Sequence, residues 1–134
     1  MCLSVISKFI RYSSVEVVYK KQKFKAFVAD SLLKQAIGLM YRKSIGSNEG
    51  MLFLFGRPSY YGIWMHNMHF SIDIIWLDEG KRIVDIVENA TPCRSIIGCK
   101  VYKPKKPSAA VLEVASGIVR RLGMKVGDRL QFDV

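Results

Sequence analysis

The 134-residue sequence contains few of the residues that build metal centres and disulfide scaffolds: three cysteines, two histidines and four prolines. A small disulfide-stabilised protein needs a far higher cysteine content, so an apolar core must hold this chain together. His66, His69, Cys93 and Cys99 show neither CxxC nor HxxxH spacing, and we therefore expect no metal site and no cofactor. A disulfide between Cys93 and Cys99 is geometrically possible, although a reducing cytoplasm would keep both as thiols.

Long hydrophobic runs are also missing. No segment reaches the roughly 18–20 apolar residues that a membrane-spanning helix requires. Lys8 and Arg11 interrupt the apolar N-terminus, and no small-residue cleavage site follows, which makes it a poor signal peptide. We expect a cytoplasmic protein, with export left open. Because there is no linker, repeat or low-complexity tract, the sequence predicts one domain over residues 15–134, preceded by an N-terminal extension of residues 1–14.

Acidic residues are scarce relative to basic ones, with 11 Asp and Glu against 21 Lys and Arg, for a formal net charge of +10. Such a charge attracts nucleic acid and anionic lipid at long range. The cations are spread along the chain, however, and no helix-turn-helix or similar reading module accompanies them. Nucleic-acid binding is therefore an alternative without a supporting motif. The oligomeric state is left open.

The secondary structure is predicted from apolar periodicity. Residues 15–29 read as a hairpin that turns around Lys21 and Gln22, and Leu33, Ala36, Ile37 and Met40 have the spacing of one helical face. Four strands in sequence suggest an antiparallel meander, and a long irregular loop over residues 89–108 leaves room for a short edge strand at 100–102. The sequence predicts the remaining elements as strand 109–115, helix 116–122 and strand 129–134. The meander strands are 51–55, 62–68, 72–77 and 82–88. Together they predict a mainly-β protein, an antiparallel β-barrel or jelly-roll-like sandwich of about eight strands with one or two short helices.

Two acidic residues lie in strands among apolar neighbours. Alternation puts Asp73 on the same strand face as Ile75 and Leu77, and Glu113 on that of Val111. Two half-buried carboxylates can perform acid–base chemistry. The structural interpretation, which we favour, is that each accepts hydrogen bonds from loop amides or pairs with an arginine such as Arg42.

The most apolar stretch, residues 60–79, carries polar side chains that need partners. Trp64, His66 and Asn67 occur at the end of one strand, where side chains often reach a cleft. The leading hypothesis is a small binding domain, in which a polar cleft containing Asn67, Asp73 and Glu113 holds a small molecule or peptide. The alternative from another class is a hydrolase-like enzyme that uses Asp73 and Glu113.

Several segments in this order resemble one family. They are GLMYR (residues 38–42), GMLFLF (50–55), IWMHN (63–67), IDIIWLD (72–78), VLEVASG (111–117) and GMKVGDRL (123–130). The combination is similar to the domain of unknown function 192 family of bacteria and archaea, over nearly the whole chain. The resemblance implies a mostly antiparallel β-barrel or jelly-roll-like sandwich and no established activity. It also implies that Arg42, Asn67, Asp73, Glu113 and Asp128 occupy the family's recurrent polar positions.

Two departures from the family pattern affect the candidate site. His66 stands where the family usually has lysine, and Met68 where it usually has threonine. A role that requires that lysine is therefore not expected here. The candidate ligand-binding residues are Arg42, Trp64, His66, Asn67, Asp73 and Glu113.

Overall fold

One six-stranded mixed sheet dominates the structure, a computed structural model that describes residues 3–95 and 97–134. Met1, Cys2 and Ile96, which fall in the predicted N-terminal extension and the predicted long loop, lie outside the described residues. The sheet has the strand order β1-β2-β3-β8-β5-β6, and β4 and β7 form a separate two-stranded sheet. The strands are β1 (Ser14–Tyr19), β2 (Gln22–Ala29), β3 (Glu49–Ser59), β4 (Ile63–Trp64), β5 (Ile72–Leu77), β6 (Ile83–Ala90), β7 (Val101–Tyr102) and β8 (Ser108–Ala115). The helices are α1 (Leu3–Ile6), α2 (Leu32–Ile37) and α3 (Ile118–Leu122).

The mainly-β prediction and the number of strands are confirmed, but the topology differs in two ways. β2 and β3 run parallel, joined by a crossover that contains α2, whereas the other neighbours in the large sheet are antiparallel. Strand β8 lies between β3 and β5, so the predicted meander is wrong except for the β5–β6 hairpin. Among the described residues the sheet does not close into a barrel.

The C-terminal segment connects the two edges of the sheet without forming the predicted strand over residues 129–134. Gln131 exchanges two backbone hydrogen bonds with Val18 of β1, at 2.8 and 2.9 Å. Arg129 forms an isolated bridge with Arg82 just before β6. Because strand edges carry unpaired amides and carbonyls, these contacts partly cover both edges.

Alternation along the central strands divides the core into two apolar layers. Leu52, Ile75 and Leu112 lie on one face, where Ile118 and Val119 of α3 also pack. Met51, Phe53, Ile72, Ile74, Trp76 and Val111 lie on the other face with the residues of β4 and the loop after it. Every side chain of β5 is buried. The second face carries the candidate site.

Helix α2 is shorter than its periodicity predicts because Gly38 ends it. Ser31 caps the helix by accepting the amide of Lys34 at 3.3 Å, and Gly38, with φ of 51°, returns its own amide to the carbonyl of Lys34 at 2.8 Å. A Cβ at Gly38 would meet the ring of Phe53 at 3.1 Å. The predicted second helix, ended by Gly123, is confirmed as α3.

Candidate functional site

Glu113 is buried in the middle of the sheet without a polar partner. It lies on β8, opposite Met51 of β3 and Ile74 of β5. Its side chain is 4% exposed, and no hydrogen bond or ion pair of its carboxyl occurs within residues 3–95 and 97–134. Burial raises the pKa of Glu113 from 4.5 to about 8, so the carboxyl is mainly protonated at neutral pH.

Glu113 lines a cavity of about 300 Å³ between the sheet, helix α2 and the loop around β4. Leu32 and Trp64 are 88% and 48% exposed and mark its mouth, whereas the buried Glu113 lies at its floor. The other lining residues are Gln35, Ala36, Ile37, Gly38, Leu39, Met40, Phe53, Phe55, Tyr61, Gly62, Ile63 and Met68. The cavity is therefore apolar and aromatic, with one ionisable carboxyl at its base.

Aromatic residues shape the wall near β4. The rings of Phe55 and Tyr61 stack with centroids 3.7 Å apart, and the buried indole of Trp76 donates to the carbonyl of Tyr61 at 2.8 Å. Tyr61 also donates its hydroxyl to the carbonyl of Arg57 at 2.5 Å. These bonds fix the segment that brings Trp64 to the mouth. The sequence indicates Trp64 as a candidate but gives no sign that Tyr61 supports it.

Gln35 supplies the second polar side chain of the cavity. Its Nε2 donates to the carbonyls of Ala29, at the end of β2, and Leu54, within β3, at 3.3 and 2.7 Å. Both amide protons are thus used, and within the described residues Oε1 has no hydrogen bond. Gln35 was not predicted as a site residue. In the sequence, Gln35 is a glutamine on a short amphipathic helix. That pattern is too common to indicate a site residue.

Asp73 lies on the opposite face of the sheet from Glu113. Its Oδ1 accepts the amide of Asn89 at 2.8 Å, and its Oδ2 accepts the amides of Gly117 and Val119 at 3.1 and 3.0 Å. The carboxylate thereby anchors the start of α3 and the end of β6 to the central strand. The interpretation that loop amides satisfy Asp73 is confirmed, whereas in the described residues Glu113 is bound by neither a loop amide nor an arginine.

The other candidates do not join Glu113. Asn67, with φ of 59°, donates from Nδ2 to the hydroxyl of Tyr41 at 2.9 Å and lines a separate surface depression. The guanidinium of Arg42 lies 4.9 Å from the ring centroid of Phe27. The predicted cleft of Asn67, Asp73 and Glu113 is therefore wrong, because the three residues face different surroundings.

His66 and the two loop cysteines form a second polar group. Cys93 and Cys99 are joined by a disulfide, and Nδ1 of His66 lies 3.8 Å from the Sγ of Cys99. The imidazole also lies against the ring of Trp64, with centroids 4.9 Å apart. In the parts of the chain that the structure describes, no set of three or more His, Cys, Asp or Glu side chains is arranged to hold a metal ion.

The fold and cavity define a small mixed-sheet domain with a buried carboxyl beneath an apolar opening. Residues 15–132 match the model of the domain of unknown function 192 family, described as an uncharacterized ACR, and the chain belongs to this family. A UPF0127 protein of Pyrococcus furiosus is 30% identical over 121 residues, which cover 85% of this chain and 91% of that protein.

Two crystal structures of bacterial proteins have the same fold. One, from Sinorhizobium meliloti and described as a candidate transcription regulator, has a TM-score of 0.85 at 30% identity and covers 92% of this chain and 96% of its own. The other, a protein of unknown function from Novosphingobium aromaticivorans, has a TM-score of 0.79 at 33% identity and covers 90% and 84%. Within the described residues, no helix is long and apolar enough to cross a membrane.

Proposed function

We propose that this protein is a binding domain for a small, largely apolar molecule, which enters the cavity beside Trp64 and places one polar group against Glu113. The observation that supports the proposal is the Glu113 carboxyl, which is buried in an apolar cavity and has no hydrogen-bond partner in the described part of the chain. A buried polar group without a partner costs about 1–3 kcal/mol, and a ligand that supplies the missing bond would offset that cost.

The size of the cavity limits the class of ligand. A volume of about 300 Å³ is at the lower end of the usual range for small-molecule pockets. It suits a compact molecule or a single inserted side chain better than a length of extended peptide. Its apolar walls and single ionisable group are the usual composition of such pockets.

Binding accounts for the geometry better than the hydrolase-like alternative. That alternative pairs Asp73 with Glu113 for acid–base work, and such a pair must reach the same reacting atoms. The two side chains project from opposite faces of the sheet, and the Asp73 carboxylate already accepts three backbone amides.

A matched pair of variants on α2 tests the proposed site. Ala36 lines the cavity, whereas Leu33 is 47% exposed on the same helix and does not. Ala36→Trp should fill the opening, and Leu33→Trp should add the same indole elsewhere. A library of neutral, cationic and anionic fragments is screened by ligand-observed NMR against all three proteins, and the amide shifts of the native chain are then followed in protein-observed spectra.

The proposal expects a subset of fragments that bind the native chain and Leu33→Trp but not Ala36→Trp. Amide shifts in the native chain should cluster at α2, β4 and the residues beside Glu113. If no fragment binds, or if Ala36→Trp binds the same fragments with unchanged affinity, the cavity is not a ligand site.

A further inference from the structure

Building on the proposed ligand site, we propose that the cavity recognises a small organic ammonium ion, with Glu113 as its counter-ion and Gln35 Oε1 as a second acceptor. The inference rests on the polar atoms that line the cavity and on its aromatic walls. It names the class of ligand, which the proposed function leaves open.

With Glu113 ionised, the polar side chains that line the cavity are mainly acceptors. Among the described residues Glu113 has no hydrogen-bond partner, and Gln35, whose Nε2 protons are both bound by carbonyls, keeps Oε1 as its available acceptor. The hydroxyl proton of Tyr61 is given to the carbonyl of Arg57. A ligand that complements this set must bring its own donors. A primary ammonium group brings three donors and a full positive charge.

The aromatic walls suit the same ion. Aromatic faces attract cations through their quadrupole, by about 0.5–2 kcal/mol depending on desolvation, and aromatic cages are an established way to hold ammonium groups. No lysine or arginine among the described residues lines the cavity, so none of them occupies the place of a ligand cation. The aromatic lining residues are Phe53, Phe55, Tyr61 and Trp64.

Charged groups on the elements packed around the cavity are already engaged or lie outside it. Lys34 of α2 pairs with Asp30 at 3.7 Å, and Glu49 of β3 accepts the amide of Gly46 at 2.9 Å. Arg57 of β3 and Lys103 are exposed, and the stem of Lys103 lies beside Gly62 at the rim. Asp73 lies on the far face of β5, and His66 lies against the ring of Trp64. Within residues 3–95 and 97–134, Glu113 is thus the only acid that lines the cavity.

Ion pairing in this cavity is linked to proton release. Glu113 is mainly protonated below pH 8, so an arriving ammonium ion must displace its proton, and the apparent affinity must follow the ionised fraction. That fraction rises from about a tenth at pH 7 to about three quarters at pH 8.5, which predicts an affinity gain of about eightfold. The amine itself stays protonated in this range, because aliphatic ammonium groups have pKa values of about 10.

The test is isothermal titration calorimetry with three probes of one shape: benzylammonium, benzyl alcohol and benzoate. Nα-acetyl-lysine amide serves as a fourth probe, since an ammonium group can belong to a free amine or to a lysine side chain. Titrations at pH 7 and pH 8.5, in buffers of different ionisation enthalpy, count the protons released. Glu113→Gln is compared with Glu88→Gln, which alters an exposed carboxylate on β6 that does not line the cavity.

The proposal expects benzylammonium or the lysine probe to bind, with about one proton released at pH 7 and the eightfold gain at pH 8.5. Glu113→Gln should weaken binding by about 10- to 100-fold and remove its pH dependence, while Glu88→Gln leaves both unchanged. Which of the two cations binds identifies the source of the ammonium group.

Other outcomes separate this inference from the proposed function. One such outcome is that benzyl alcohol or benzoate binds the native chain but not Ala36→Trp, while neither cation binds. In that case the ammonium assignment is wrong, and the cavity is still a ligand site. Affinity for benzylammonium that falls as the pH rises would also overturn the assignment. If none of the four probes binds, the ammonium assignment is wrong, and the fragment screen alone decides the fate of the cavity.

Discussion

Glu113 makes the stability of the protein depend on pH in a direction that can be calculated. In the folded chain its pKa is raised to about 8 by burial, whereas its ordinary value is 4.5. A group whose pKa is raised by folding contributes its full stability when the pH is below its pKa in the unfolded chain. That contribution is lost as the pH rises to its pKa in the folded chain. Between pH 5 and pH 8 the unfolded chain ionises at Glu113 and the folded chain resists ionisation.

The size of this effect follows from the difference between the two pKa values. Each unit corresponds to about 1.4 kcal/mol, and most of the difference of about 3.5 units lies between pH 5 and pH 8. The native chain should therefore lose about 3 kcal/mol of unfolding free energy over that range through this residue alone. Small domains have only about 5–15 kcal/mol in total, so the loss is readily measured.

The assay is urea unfolding of the native chain and of Glu113→Gln at pH 5, 6, 7 and 8. Glutamine keeps the size of the side chain and cannot ionise. At pH 5 the two proteins should have similar stability, and at pH 8 the variant should be more stable by about 3 kcal/mol. Contributions of other groups cancel, because only the difference between the native chain and the variant is used. The reasoning is refuted if this difference stays constant from pH 5 to pH 8.

Three further changes test other parts of the structure. Asp73→Asn should cost about 2–4 kcal/mol of unfolding free energy, because asparagine keeps one acceptor oxygen but places an N–H donor where the other carboxylate oxygen accepts a backbone amide. Asp78→Asn, in an exposed turn, should cost less than about 1 kcal/mol, and urea unfolding compares the two variants. Tyr19→Phe should cost about 1–2 kcal/mol at pH 7 by removing the 2.6 Å bond to Asp128. That bond from Tyr19 lowers the pKa of Asp128, so the cost should shrink as the pH falls below about 4, and an equal cost at pH 2 and pH 7 would contradict the assignment. Gly38→Ala should lower the unfolding free energy by about 1–2 kcal/mol, because φ at this position is 51° and a Cβ would meet a phenylalanine ring at 3.1 Å. Thermal unfolding measures the loss, and an unchanged melting temperature would argue against that strain.

The sequence predicts those parts of the fold that local patterns determine. Alternation identifies β8, where it predicts a strand over residues 109–115, and the turn glycine at 123 marks the end of α3. The parallel pairing of β2 with β3 could not be predicted, because it depends on a crossover through α2 that no local signal specifies. The predicted meander is wrong for a related reason. Consecutive strands often pair, but here β8 returns from far along the chain and separates β3 from β5.

The candidate site shows the same limit at the level of single residues. Alternation assigns Asp73 and Glu113 to faces of their own strands, but it cannot relate the two faces to each other. That relation is set by the register of β5 on β8, in which Asp73 lies opposite Val114 and Ile74 lies opposite Glu113. The offset of one residue sends the two carboxyls to opposite layers of the core.

The different surroundings of these two acids are the strongest argument for where function lies. Asp73 accepts three backbone amides, so its charge stabilises the ends of α3 and β6 and needs no ligand to explain it. Glu113 stabilises nothing that can be identified in the described residues, and its burial costs about 3 kcal/mol at neutral pH relative to a side chain that cannot ionise. Methionine or glutamine would fill the same volume without that cost. A residue that lowers stability at the base of an accessible apolar cavity is therefore better explained by a binding role than by a structural one.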